Sequence, residues 1–133
     1  MNSDFNRLLQ ASHQDRRDLF LATAARLGTT IQNVEKDFWV CWTLDALFNG
    51  LPSNGPRLLF KGGTSLSKGY GLIKRFSEDI DITVFRRDID VEVSTEELEK
   101  LSRKQREKRL EKIRQSCQQF ISGALHMQLS KLA

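Results

Sequence analysis

The stretch from Leu58 to Phe85 constrains this chain more than any other. It begins Leu58-Leu59-Phe60-Lys61-Gly62-Gly63-Thr64-Ser65-Leu66-Ser67-Lys68-Gly69-Tyr70-Gly71. Leu72 to Phe76 follow, and then Ser77-Glu78-Asp79-Ile80-Asp81-Ile82-Thr83-Val84-Phe85. The pattern predicts a short apolar strand, a glycine turn, a short helix and a second strand carrying two acids. Side chains alternate along a strand, so Asp79 and Asp81 are expected on one face, with Ile80 and Ile82 turned into a core. Neighbouring carboxylates repel unless a cation or a proton sits between them. Such an oxygen-rich pair suits magnesium, usually shared with substrate phosphates. The glycine turn offers backbone amides and hydroxyls that suit a phosphate. Charge follows the same division: Arg57 to Phe76 holds five basic residues and no acid, and Glu78, Asp79 and Asp81 come directly after. Together these features describe a layout for metal-assisted phosphoryl or nucleotidyl transfer.

Size and composition limit the alternatives. A chain of 133 residues is enough for one ordinary domain. With 39% hydrophobic and 29% charged residues, it is expected to be soluble with a modest core. A formal charge of +4 permits an anionic partner such as nucleic acid without requiring one. Cys41 and Cys117 are the only cysteines and have no CxxC spacing, which argues against a zinc site and a disulfide scaffold. Cys41 lies in an apolar run and is expected to be a buried thiol. The start is polar from Asn2 to Asn6, so no secretory leader is expected. No apolar run approaches the ~18 residues of a membrane span. A cytoplasmic location is the simplest expectation.

The rest of the chain reads mainly as helix. Residues 4 to 27 have apolar residues at helical spacing, interrupted by the polar stretch His13 to Asp18, and so form one helix or two. His13 reads as a surface residue, and Gly28 as a helix stop. Thr30 is a natural N-cap for a helix from Ile31 to about Asn49. Glu35, Lys36 and Asp37 open that helix, either as a solvated first turn or with one of them facing a site. Asn49 to Pro56 carries the Gly and Pro residues of a loop. Asp88 to Val93 alternates strictly and predicts a charged edge strand. Ser94 with Glu97 fits a capping box that opens a long amphipathic helix running to Leu132. Glu96–Lys100 and Glu99–Arg103 are spaced to support it. Within it, Lys100 to Arg114 holds eight basic residues, a solvated face or a surface for RNA or a partner. Gly123 is a weak point or a close-packing position.

Two segments carry a resemblance. They are Lys61-Gly62-Gly63-Thr64-Ser65-Leu66 and Arg75-Phe76-Ser77-Glu78-Asp79-Ile80-Asp81-Ile82. They resemble the nucleotidyltransferase toxins of the AbiEii/AbiGii abortive-infection family, which includes the related MenT enzymes. Val34-Glu35-Lys36-Asp37-Phe38-Trp39-Val40, with Leu44 and Phe48 after it, is also similar to that family. The wider superfamily resembles DNA polymerase beta in its catalytic core, with a glycine motif, a spacer and an Asp-x-Asp pair. Here Gly62-Gly63 and Asp79-Ile80-Asp81 fill those places, across a spacer of 15 residues.

The resemblance implies that Asp79 and Asp81 are catalytic and hold magnesium. It implies that Gly62, Gly63, Thr64 and Ser65 bind the triphosphate of an NTP, with Lys68 as a further phosphate ligand. It also implies a toxin of a toxin–antitoxin system acting in phage defence, an RNA acceptor such as the tRNA acceptor end, and a cognate antitoxin. Family members are longer and carry a third acid and further nucleotide-binding lysines. Asp90 is the only candidate here for that acid, so an N-terminal portion of a nucleotidyltransferase domain is expected.

The expected fold is therefore α+β within a single domain spanning residues 1–133. It has a helical part over 1–56, a small mixed sheet of the nucleotidyltransferase core over 57–93, and a long helix over 94–133. The expected function is magnesium-dependent transfer of a nucleoside monophosphate from an NTP to RNA. Two rivals remain. One is a non-catalytic remnant or partner-binding module. The other is a basic helical RNA binder using Lys100 to Arg114, although that run has no aromatic residue for base stacking.

Overall fold

The fold was obtained as a computed structural model that describes residues 1–62, 68 and 79–133. The chain divides into two compact units. The first comprises Met1–Gly50 with Phe60–Ile82, and the second Leu51–Leu59 with Thr83–Ala133. The class is α+β, as expected. The sheet, expected to be small and mixed, is a two-stranded antiparallel one among the described residues. No helix among the described residues is long and apolar enough to cross a membrane.

The first unit opens with α1 (Ser3–Gln10), α2 (His13–Leu27) and α3 (Ile31–Asp45). Of the two readings of residues 4 to 27, two helices form. Ala11 leaves the helical region, and the Ser12 hydroxyl accepts the Asp15 amide proton to start α2 (3.0 Å). Gly28 ends α2 in the left-handed region, at φ 68°, where a side chain would be strained. Thr30 caps α3 by accepting from the Asn33 amide at 3.2 Å. The helix then widens into a π turn, Ala46–Gly50.

α2 packs on α3. Phe20, Ala24, Val34, Phe38, Val40, Trp42, Ala46 and Leu47 make the buried core of this unit. Phe38 is its centre, with ring centroids 5.8 Å from Phe5, 5.6 Å from Phe20 and 5.2 Å from Trp39. Burying one such ring is worth about 1.5–3 kcal/mol, and edge-to-face contacts add to it.

The strands are β1 (Leu58–Lys61) and β2 (Asp81–Val84). After β2 the sequence predicts another strand over Asp88 to Val93, and this is corrected by the structure. Arg86–Ile89 is a 3-10 turn, closed by Asp90 in the left-handed region at φ 59°. A left-handed residue reverses the chain and cannot continue a ladder, and Asp is one of the few side chains that tolerates it. Val91 and Val93 are buried and Glu92 is exposed, so the alternation governs burial without strand pairing.

Arg57 ties this turn down within the second unit. Its guanidinium donates to both Asp88 oxygens (2.7 and 3.1 Å) and its backbone N–H donates to Asp88 as well (2.9 Å). It also lies 4.6 Å from the Phe85 ring centroid.

The long terminal helix is segmented. Ser94 caps α4 (Thr95–Glu99), which stops at Lys100. A new cap follows at Ser102, whose reciprocal bonds with Gln105 form a capping box for α5 (Arg103–Phe120). The expected Glu99–Arg103 pairing gives way to Arg103–Glu107 at 3.2 Å within α5. A π turn at Ile121–Leu125 contains Gly123 and leads into α6 (His126–Leu132). α5 packs on the 3-10 turn, and Leu125 is buried with Val84, Val91 and Val93.

Candidate active site

The site is built in the first unit from the end of β1, the start of β2 and one face of α3. Gly62 follows β1 with φ 80°, a conformation that a side chain would strain. Asp81 opens β2 and packs its carboxylate against this glycine. A Cβ at position 62 would stand 3.2 Å from the Asp81 Cγ and nearer still to its Oδ2. The bare backbone at Gly62 is thus what allows the acid to approach. Glycine motif and second acid, 19 positions apart in sequence, meet in space.

Asp79 is exposed and lies just before β2. It lines a cavity of about 390 Å³ with Ile80 and with Lys36, Trp39, Val40 and Thr43 of α3. Positions 36, 39, 40 and 43 share one helix face. Of the three charged residues opening α3, Lys36 is the one that lines this cavity. Asp37 is not among its lining residues and forms an ion pair with Lys68, each about a quarter exposed. Asp37 Oδ1 is shut off from solvent, and the ammonium is its partner. Glu35 lines a separate, smaller cleft with His13, Arg16 and Arg17.

Cys41, one turn beyond Asp37, is half-buried. Burial pushes its thiol pKa up, with Lys68 pulling the other way and Asp37 adding to the rise. A thiol so held stays protonated near neutral pH and is a poor nucleophile. It serves as packing.

Gly63, Thr64 and Ser65, the rest of the expected triphosphate turn, lie outside the described residues. So do Arg75 and Glu78. Among the described residues no group of three or more His, Cys, Asp or Glu side chains gathers in a way that could hold a metal ion. Asp79 and Asp81 are both exposed carboxylates, a hard oxygen donor set. That set fits magnesium, which takes one or two protein carboxylates and completes its shell with phosphates and water. Asp90 serves as the left-handed residue of its turn and lines a cleft of about 40 Å³ with Arg109 and Lys112.

Trp39 and Thr43 line this cavity and were not among the residues expected at the site. Their signal was the spacing of Lys36, Trp39 and Thr43, polar or amphipathic residues on a helix otherwise rich in core positions.

A family model described as "Nucleotidyl transferase AbiEii toxin, Type IV TA system" matches residues 45–130. This chain belongs to the AbiEii nucleotidyltransferase toxin family. The match takes in the glycine motif, both acids and α5 of this AbiEii-family chain, and begins at the last residue of α3. No curated relative and no solved structure matches it.

Proposed function

We propose that this chain is a nucleotidyltransferase toxin that moves a nucleoside monophosphate from an NTP to a hydroxyl of RNA, with the tRNA acceptor end as the leading acceptor. The hydroxyl oxygen attacks the α-phosphorus, the bond to the β-phosphate oxygen breaks, pyrophosphate leaves, and the hydroxyl proton passes to solvent. The observation that carries the reading is the approach of the Asp81 carboxylate to Gly62, which brings the second acid of the pair against the glycine motif.

Each residue has a role in this scheme. Asp79 and Asp81 would hold magnesium. The chemistry that the ion supplies when bound is neutralisation of charge on the phosphate oxygens. Gly62, Gly63, Thr64 and Ser65 would take the triphosphate through amides and hydroxyls. Lys68 would add a cationic donor, oriented by Asp37. Positioning of this kind accounts for much of the catalysis in phosphoryl transfer. A cognate antitoxin and action in the cytoplasm in phage defence belong to the same proposal.

Asp79→Asn is expected to abolish magnesium-dependent transfer of labelled nucleotide to RNA while leaving the circular dichroism spectrum and melting temperature unchanged. Full activity in that variant would sink the mechanism. The Asp37–Lys68 pair favours a second reading, because a lysine compensated within the fold needs no ligand. On that reading the chain is a partner-binding module. Titration with NTP and magnesium separates the two, since a module would show no binding up to millimolar nucleotide.

A further inference from the structure

The cavity beside Asp79 has a composition that the phosphate chemistry does not explain. Three of its six lining residues, Trp39, Val40 and Ile80, are apolar or aromatic. A polyphosphate site would be expected to show amides and cations, whereas a nucleoside site needs a flat apolar wall with a few polar groups at its rim. Its volume is about 390 Å³, and it is a broad cleft open to solvent, shaped to take one face of a ligand.

Trp39 is the decisive residue. It is 39% exposed, although it sits on a helix whose neighbours Phe38, Val40 and Trp42 are buried. Its ring is held edge-on by Phe38, at 5.2 Å and 68°, and by Trp42, at 5.9 Å and 77°. Two such contacts fix the plane of the indole while the residue stays accessible. An aromatic ring fixed before binding loses little freedom when a base stacks on it. Lys36 and Thr43, one turn to either side on the same face, bring an ammonium and a hydroxyl that can meet base or ribose oxygens.

We propose that the Lys36–Trp39–Thr43 face of α3 is the nucleoside wall of the site, with Trp39 as the surface on which the nucleobase stacks. The inference rests on the nucleotidyltransferase reading and deepens it by naming what binds the part of the NTP that the phosphate motif cannot recognise. Stacking is tolerant of base identity, so Trp39 sets affinity for nucleosides as a class. Choice among bases falls to Lys36 and Thr43.

The test uses the full chain with magnesium and two probes, ATP and inorganic tripolyphosphate, measured by isothermal titration calorimetry on wild type, Trp39→Leu and Trp39→Phe. Trp39→Leu is expected to bind ATP about 5- to 150-fold more weakly, the range that loss of one stacked base implies. Its tripolyphosphate affinity should match wild type, and Trp39→Phe should keep most of the ATP affinity. Equal ATP binding by wild type and Trp39→Leu would overturn the proposal. So would parallel loss of ATP and tripolyphosphate affinity in Trp39→Leu, because the effect would not belong to the base. If wild type binds tripolyphosphate and ATP equally well, the phosphate motif stands and the nucleoside wall does not. If wild type binds neither, the nucleotidyltransferase reading itself fails.

Discussion

α3 and α5 begin alike and are sustained differently. Each starts at a side-chain cap, Thr30 for one and Ser102 for the other. α3 then buries Val34, Phe38, Val40 and Trp42, while α5 buries none of its 18 residues. α3 is held by what it covers. α5 is held largely along its own length, by the capping box, by Arg103–Glu107 and by the Arg114–Glu111 pair, in which Arg114 Nε donates at 2.8 Å. Local pairs of this kind contribute only a few tenths of a kcal/mol each. A helix stabilised by burial can present a fixed face to a ligand. One stabilised locally can change its surface residues at little cost, which suits a charged face.

The largest test of this contrast is Phe38→Ala. Removing the ring at the centre of the aromatic cluster is expected to cost about 3–5 kcal/mol in urea unfolding. Leu110→Ala on α5, where Leu110 is 45% exposed, should stay within about 0.5 kcal/mol. Similar costs at the two positions would erase the distinction between the helices.

Gly62→Ala comes next. The added Cβ meets both a left-handed backbone and the Asp81 carboxylate, so about 1–3 kcal/mol of stability should be lost. Magnesium-dependent transfer should fall further than that loss explains, because Asp81 must move. Ser102→Ala should cost about 1 kcal/mol and reduce helicity at 222 nm by loosening the first turn of α5. No change in either quantity would mean that the cap does not hold α5.

The smallest effect concerns pH. Hydrogen bonds from the Arg57 side chain and backbone hold the Asp88 carboxyl below its ordinary value. The folded form therefore favours the ionised acid. The stabilisation is fully present above the ordinary aspartate pKa of about 3.9 and is lost as pH falls through the lower folded value. Asp88→Asn should show a shallower loss of melting temperature between about pH 4 and pH 2 than wild type.

Much of this was legible in the sequence because the signals were local. Gly28, Thr30 and Ser94 each carry their own reason to stop or start a helix, and the class followed from them. The break at Lys100 to Ser102 was less visible, since charged residues with good helix propensity run on both sides and hide the Ser102–Gln105 cap. The two Asp-Ile-Asp sequences are the clearest lesson. At 79–81 only Asp81 enters a strand, where Leu58–Lys61 lies alongside to pair with it; Asp79 and Ile80, expected on opposite faces of that strand, precede it and line one cavity together. At 88–90 the same three residues form a turn anchored by Arg57 from 31 positions away. Alternation reports which side chains are buried, and pairing depends on a partner that no window of sequence contains. Of the candidate site, the acids and Gly62 stood out in the sequence by their chemistry, and the structure brings Asp81 against Gly62. Trp39 did not stand out, because an aromatic on a largely apolar helix reads as core until its exposure is known.

The two indoles of α3 have a practical consequence. Trp42 is 5% exposed, its ring nitrogen is buried without a hydrogen-bond acceptor among the described residues, and Trp39 stands beside it at 39%. They are the chain's only tryptophans. One samples a dry interior and the other a wet cleft, so their emission should differ in colour and in access to a dissolved quencher. Intrinsic fluorescence can therefore follow melting of the interior and filling of the cleft as separate signals, with no label attached.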